Sequence, residues 1–317
     1  MSTILLKTSA GLSAQDVQAA GSDCRVVEIP DLSPTVEAMS EVPGSVCAVL
    51  GASPHDDLHA VPGLDWVHSG AAGVDGWLKP GVLPEGVTLT SAAGNGAIPL
   101  AEHSLMLMMM LSRDAPRWMR AQQDRRWDRF THGELTGRTL GIIGYGNSGQ
   151  DLAQKALACH MEVQAFRRSS SGEADGQVRL LYGEEGLGEL LATSDFVVVT
   201  APVTSETRGI LGLRQLRSMK RGAFLVVISR GGIVVDDALL EVLQEGHLGG
   251  AGLDAHGVEP LPAESPFWGL PNVIVTPHNG ATTQETAARG RAILLDNVSR
   301  WASGQPLKNV VDLQRGY

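Results

Sequence analysis

Three side chains able to handle a carboxylate, a carbonyl and a proton stand just beyond strand-like apolar runs in the second half of this chain. Arg230 follows "AFLVVIS", Glu259 lies in "AGLDAHGVEPLP", and His278 follows "NVIVTP". A guanidinium presents a planar fork that matches a carboxylate. An imidazole beside a carboxylate can exchange a proton near neutral pH. Taken singly, each has a plain structural reading: a surface arginine closing a strand, a loop acid, a turn histidine. Upstream, "TLGIIGYGNSG" sets Gly144, Gly146 and Gly149 on the G-x-G-x-x-G spacing, with Tyr145, Asn147 and Ser148 between them. Between a strand and a helix, that spacing gives a tight turn, close backbone approach to a pyrophosphate and a helix N-terminus aimed at it. The joint chemistry is hydride transfer to a 2-keto acid.

The end of the second strand of such a unit selects the nucleotide. An NAD-binding chain usually carries an acid there for the ribose 2′-hydroxyl. Here stand Arg167, Arg168, Ser169 and Ser170. Two guanidiniums and two hydroxyls suit a 2′-phosphate, so NADP(H) is expected, with NAD(H) possible if the basic turn is only a solvated surface.

Composition narrows the alternatives. The chain has 317 residues, 43% hydrophobic and 19% charged, with a net charge of −10. That balance disfavours a nucleic-acid partner, which needs a concentrated basic face. The three cysteines, Cys24, Cys47 and Cys159, have no metal-ligand spacing, and a reduced, cytoplasmic compartment is expected. "LMLMMML" at 105–111 is far shorter than a bilayer span of about twenty residues, so no membrane partner is expected. "HDDLH" puts His55 and His59 at i, i+4, but no third ligand follows and no metal is predicted. "NVSR" at Asn297 matches a glycosylation sequon, which carries no weight without export.

The elements that must position these groups can be read from periodicity. Strands are expected at 139–144, 162–166, 195–200, 223–228, 251–255 and 272–276. Helical patterns lie between them, one opened by Asp236 and closed by Gly246. Near-continuous apolar strands alternating with helices predict a doubly wound parallel sheet. The first ninety-odd residues repeat the style without the glycines, at 3–8, 25–29, 46–50, 65–69 and 87–90. The stretch 98–127 reads as one or two helices, with its methionine stripe in core or dimer packing. A final helix is expected from the 282–304 segment. The expected class is α/β, with two Rossmann-like or flavodoxin-like domains and a cleft between them. Residues 1–96 plus 284–317 would form a substrate-binding domain, and 97–283 a dinucleotide-binding domain.

These blocks, with "SGAAGVDG", "PLAEHSLMLMMMLSR", "APVTSETRGIL", "SRGGIVVDDALLEVL" and "PHNGATT", resemble the D-isomer-specific 2-hydroxyacid dehydrogenases along nearly the whole chain. The double basic turn is similar to that of the NADP-preferring glyoxylate and hydroxypyruvate reductases. The resemblance implies that Arg230 holds the substrate, Glu259 orients His278, and His278 is the general acid. It implies cofactor contacts at Ala201, Pro202 and Thr207, at Ser229, at Asp254, and at His278 and Gly280. It also implies that Ala71, Ala72 and Gly73 offer N–H groups to the substrate carboxylate, although a plain strand-exit turn reads the same way. A small 2-keto or 2-hydroxy acid is the expected ligand, and a homodimer the expected assembly. Ala255, His256 and Gly257 depart from the bulky pair usual in the family, and His256 could line the pocket or face solvent. The rival expectation is a cofactor-binding scaffold without turnover, as some relatives serve in regulation.

Overall fold

The protein is described by a computed structural model over residues 3–21, 23–30, 46–167 and 176–316. The chain forms two compact units, Met1–Gly96 with Thr283–Tyr317, and Ala97–Thr282.

The first unit holds β1 (Thr3–Lys7), α1 (Ala14–Ala19), β2 (Arg25–Ile29), β3 (Val46–Ala52), β4 (Trp66–Ser69) and β5 (Thr88–Ser91). Its strands are all parallel, in the order β2-β1-β3-β4-β5. β1 is buried along its whole length, and β3 at all but one position. A strand covered on both faces needs apolar side chains at every position, which explains the unbroken hydrophobic runs. The Ser13 hydroxyl caps α1, and Asp16 returns the bond in a capping box. The "HDDLH" segment is no ligand helix: it ends in a 3₁₀ turn at Leu58–Ala60. Within it, the buried Asp56 accepts two bonds from Lys7 Nζ at 2.7 and 2.9 Å.

The second unit opens with α2 (Ala97–Ser112) and α3 (Ala115–Gln123). The long helical stretch breaks at Asp114, whose φ of 49° is left-handed. Then follow β6 (Thr139–Ile143), α4 (Asn147–Ala158), β7 (Glu162–Phe166), β8 (Val178–Leu181), α5 (Gly183–Thr193), β9 (Phe196–Val199), α6 (Leu213–Ser218), β10 (Phe224–Val227), α7 (Asp236–Gln244), β11 (Gly250–Leu253) and β12 (Val273–Val275). The seven strands are parallel in the order β12-β11-β10-β9-β6-β7-β8. Strand order reverses beside β6, the place where open α/β sheets bind ligands beyond their carboxyl ends. The expectation of an α/β fold with two parallel sheets holds in both units. β8 was not foreseen, because "VRLL" is four residues long and carries an arginine. Asp236 lies in the first turn of α7, whose N-cap is Val235 without a side-chain bond.

Glycines in β11 set how closely α2 packs. A Cβ on Gly252 would lie 3.1 Å from Leu107 Cβ, and one on Gly250 only 2.4 Å from the Asn272 carbonyl. Leu107 and Met108 are fully buried there, whereas Met106 and Met109 are exposed. Of the stripe's four methionines, one lies in the core.

After Thr282 the chain returns to the first unit as α8 (Gln284–Ala302), capped by the Thr283 hydroxyl. Leu294 and Val298 complete that unit's core with Ile4, Leu6 and Leu50. Asn297 is fully buried and bonds Lys308 N and O at 2.8 and 3.0 Å. The sequon asparagine is therefore a structural clasp. Among the described residues, no helix is long and apolar enough to cross a membrane.

Candidate active site

The glycine turn after β6 carries the physics expected of it. Gly144 has φ of 101°, and a Cβ there would meet Ala201 N at 2.5 Å. A Cβ on Gly149 would stand 2.3 Å from the Gly144 carbonyl, so only glycine lets α4 approach the strand. Beyond Gly146 nothing lies within 4 Å of such an atom. The first turn of α4 has no side-chain cap and no acidic residue, so its N–H groups and dipole are open to an anion. Thr200 Oγ1 donates to the Gly144 carbonyl, which ties the turn to the strand after the switch point. Ser229 Oγ is buried just beyond β10 without a hydrogen-bond partner among the described residues. An orphaned buried hydroxyl of this kind calls for a ligand. These features fit a dinucleotide.

Other expected cofactor contacts fall at the same carboxyl ends. Ala201 is buried, and the Pro202 carbonyl accepts from Thr207 Oγ1 at 2.7 Å. Arg167 N–H donates to the Leu181 carbonyl at 3.0 Å, which holds Arg167 beside the end of β8. Arg168 and Ser169, with Ser170, lie outside the described residues. In the first unit, Ala71 and Ala72 are exposed and Gly73 half-buried just after β4, and Ala71 N–H donates to Ser69 Oγ at 3.3 Å.

Glu259 and His278 meet. His278 Nδ1 lies 2.7 Å from Glu259 Oε2, and both side chains are 36% exposed. Glu259 Oε1 accepts the His256 N–H at 2.9 Å. Partial burial pushes the Glu259 carboxyl up, but the His256 N–H and then the bond and charge of His278 outweigh it. The net displacement is below the usual carboxylate range. His278 holds φ of 50°, a conformation uncommon for a residue with a side chain. Arg230 follows β10 and donates from Nη1 to the Ser229 carbonyl at 2.8 Å.

Asp254 fixes the turn on which His278 sits. Fully buried, it accepts Asn279 N–H at 3.1 Å, Gly280 N–H at 2.9 Å and the Thr276 hydroxyl at 2.6 Å. Since that hydroxyl has one proton and spends it on the carboxylate, Thr276 Oγ1 must accept from His103 Nε2, 3.1 Å away. The His103 ring lies against Gly280, where a Cβ would come within 3.2 Å of it. Sequence reading missed His103 and Thr276 as parts of the site. His103 stands on α2, far from the motifs in sequence, and no local spacing signals it.

The match to known proteins agrees with this geometry. Residues 105–280 match the family model "D-isomer specific 2-hydroxyacid dehydrogenase, NAD binding domain". The chain belongs to the D-isomer-specific 2-hydroxyacid dehydrogenase family. It is 33% identical over 276 residues to glyoxylate/hydroxypyruvate reductase A of Serratia proteamaculans, covering 85% of this chain and 87% of that one. It is 32% identical over 282 residues to D-3-phosphoglycerate dehydrogenase of Archaeoglobus fulgidus, covering 87% of this chain and 53% of the relative. The chain thus spans about half the length of the phosphoglycerate dehydrogenases it matches. Among solved structures, the NADPH-dependent glyoxylate/hydroxypyruvate reductase of Sinorhizobium meliloti, in complex with NADP and sulfate, superimposes with a TM-score of 0.82 at 30% identity, covering 100% of both chains. In this chain the glycine turn and the Glu259–His278 pair belong to the unit that carries the family's NAD-binding domain.

Proposed function

We propose that this chain reduces a small 2-keto acid, of the glyoxylate or hydroxypyruvate kind, to the D-2-hydroxy acid, with NADPH as the preferred reductant. The observation that carries the reading is the 2.7 Å contact between His278 Nδ1 and Glu259. It fixes the ring and leaves Nε2 as the nitrogen that can serve a substrate. When bound, the dihydronicotinamide supplies the hydride that reaches the keto carbon. His278 Nε2 gives the carbonyl oxygen its proton, and the anionic Glu259 complements the imidazolium before that transfer. Arg230 holds the substrate carboxylate and polarises the carbonyl. The cofactor would lie on Gly144, Tyr145, Gly146, Asn147, Ser148 and Gly149, then along Ala201, Pro202, Thr207, Ser229, Asp254 and Gly280. Arg167, Arg168 and Ser169 would receive the 2′-phosphate. The reductase names and the bound NADP among its relatives support this choice.

The test is absorbance-followed oxidation of NADPH and NADH with glyoxylate, hydroxypyruvate and pyruvate, and the reverse reaction with D-3-phosphoglycerate. Fast loss of NADPH with the two small keto acids is expected. Preference for NADH would remove the role given to the basic turn, and turnover of phosphoglycerate alone would move the substrate class.

Assembly as a homodimer belongs to the same proposal. Met106, Met109, Trp118, Met119 and Trp127 are exposed on α2, α3 and the segment after them, Trp127 at 90%. Large apolar groups so placed suit a self-complementary interface. Light scattering that returns the monomer mass at every concentration would rule it out. Three cysteines without metal-ligand spacing suit a reducing, cytoplasmic setting.

A further inference from the structure

We propose that His256 is a positioning residue that holds Glu259 and His278 in working register, an inference that rests on the reaction proposed above. His256 does not face solvent: it is 7% exposed and engages the two acid/base segments from both its backbone and its ring. Its N–H donates to Glu259 Oε1 at 2.9 Å, and its ring Nε2 lies 3.0 Å from the Thr276 carbonyl. A carbonyl only accepts, so Nε2 carries the proton and donates. The same carbonyl also accepts the backbone N–H of His278 at 3.1 Å. With the 2.7 Å bond from His278 Nδ1 to Glu259 Oε2, the contacts close a loop. It runs from His256 N–H to Glu259, on to the His278 ring, back through the His278 amide to Thr276 O, and returns to the His256 ring.

A closed circuit of this kind restrains more than its separate bonds, because no member can shift without breaking a second contact. It answers the need created by the left-handed φ of His278, which the surroundings must maintain. The third proposed participant abuts the same residue. A Cβ on Gly231, next to Arg230, would fall 1.8 Å from the His256 carbonyl oxygen. The charged groups acting on this corner are Asp236, Asp237, Glu259 and His278. The half-buried Asp236 carboxyl is pushed up by burial, against the Gly257 N–H and the charge of His256. Ala255 and Gly257 on either side supply no functional side chain of their own, so the ring alone can make the clip to Thr276.

The experiment compares His256→Phe, which keeps a ring but loses the donor, with His256→Gln, whose amide reaches toward the Nε2 position. With both variants shown by circular dichroism to be folded, H256F should lower kcat by about ten- to a hundred-fold with little change in the Kd for NADPH. H256Q should recover most of that loss. Should H256F fail to fold, His256→Asn takes its place, since its shorter amide cannot reach Thr276. A second readout needs no turnover: carbon-13 NMR of the Glu259 carboxyl in the free protein. Its titration midpoint should rise in H256F and stay near the wild-type value in H256Q. Wild-type kcat with an unmoved Glu259 midpoint in H256F would overturn the proposal, and so would equal losses in both variants. If the wild type reduced no 2-keto acid, the reaction proposed above would fall while the Glu259 titration still decided the clip.

Discussion

At the scale of single residues, the most informative atom of the site is Glu259 Oε2, because it decides which face of the His278 ring is left for chemistry. Replacing His278 by Ala should lower kcat by about 10²–10⁴-fold, the usual worth of a positioned acid/base group. NADPH binding, followed by fluorescence titration, should hardly change. Because the Glu259 carboxyl lies below its usual range, the ion pair should persist as pH falls through the ordinary carboxylate range and part only below it. A pH–rate profile that loses activity already within the ordinary range would contradict that. A second titration concerns stability. His68, fully buried on β4, bonds Thr90 Oγ1 at 2.9 Å through Nδ1, and burial pushes its ring down to about 4 from 6.5. The unfolded chain therefore takes up this proton at a higher pH than the folded chain does. The contribution is complete above about pH 6.5 and drains away as pH falls toward about 4. Between pH 7.5 and 5 it amounts to about 2 kcal/mol. Urea unfolding at those two pH values should show a smaller pH-dependent loss in His68→Gln than in the wild type, by about that amount.

At the scale of elements, the sequence spoke clearly wherever a strand was buried on both faces and a glycine served a contact. β7 stands where its apolar run places it, β2 also has its expected bounds although it is not buried on both faces, and the other foreseen strands differ by one or two residues at their ends. It was silent on β8, too short to show a period, and on the His103–Thr276–Asp254 chain, whose members are far apart in sequence and are brought together by α2 packing on β10 and β11. The Glu259–His278 pair was foreseen from family resemblance rather than from spacing, since nineteen residues (278 − 259) separate the two. Gly250 tests the packing that links these elements. Gly250→Ala places a methyl 2.4 Å from the Asn272 carbonyl and forces β11 away from β12. A loss of about 1–3 kcal/mol in unfolding free energy is expected. kcat should fall with it, because β12 leads into Thr276 and His278. An unchanged melting temperature would show that the sheet edge yields freely.

At the scale of the whole molecule, ligand linkage should separate the two units. NADPH at about a hundred times its Kd stabilises the form that binds it by about 2.7 kcal/mol. In hydrogen exchange the added protection should concentrate in 139–202, with little change across β1–β5. Protection spread evenly over both units would mean that they unfold together. The path of the chain has a further consequence, one that concerns birth rather than catalysis. The second unit is one uninterrupted stretch, Ala97–Thr282, whereas the first is closed by α8, whose Leu294 and Val298 enter its core and whose Trp301 ring lies 6.0 Å from that of Trp66. On the ribosome, then, the later-encoded sheet can reach its native form while the earlier one still waits, its strands synthesised but unsealed, for the last helix to emerge.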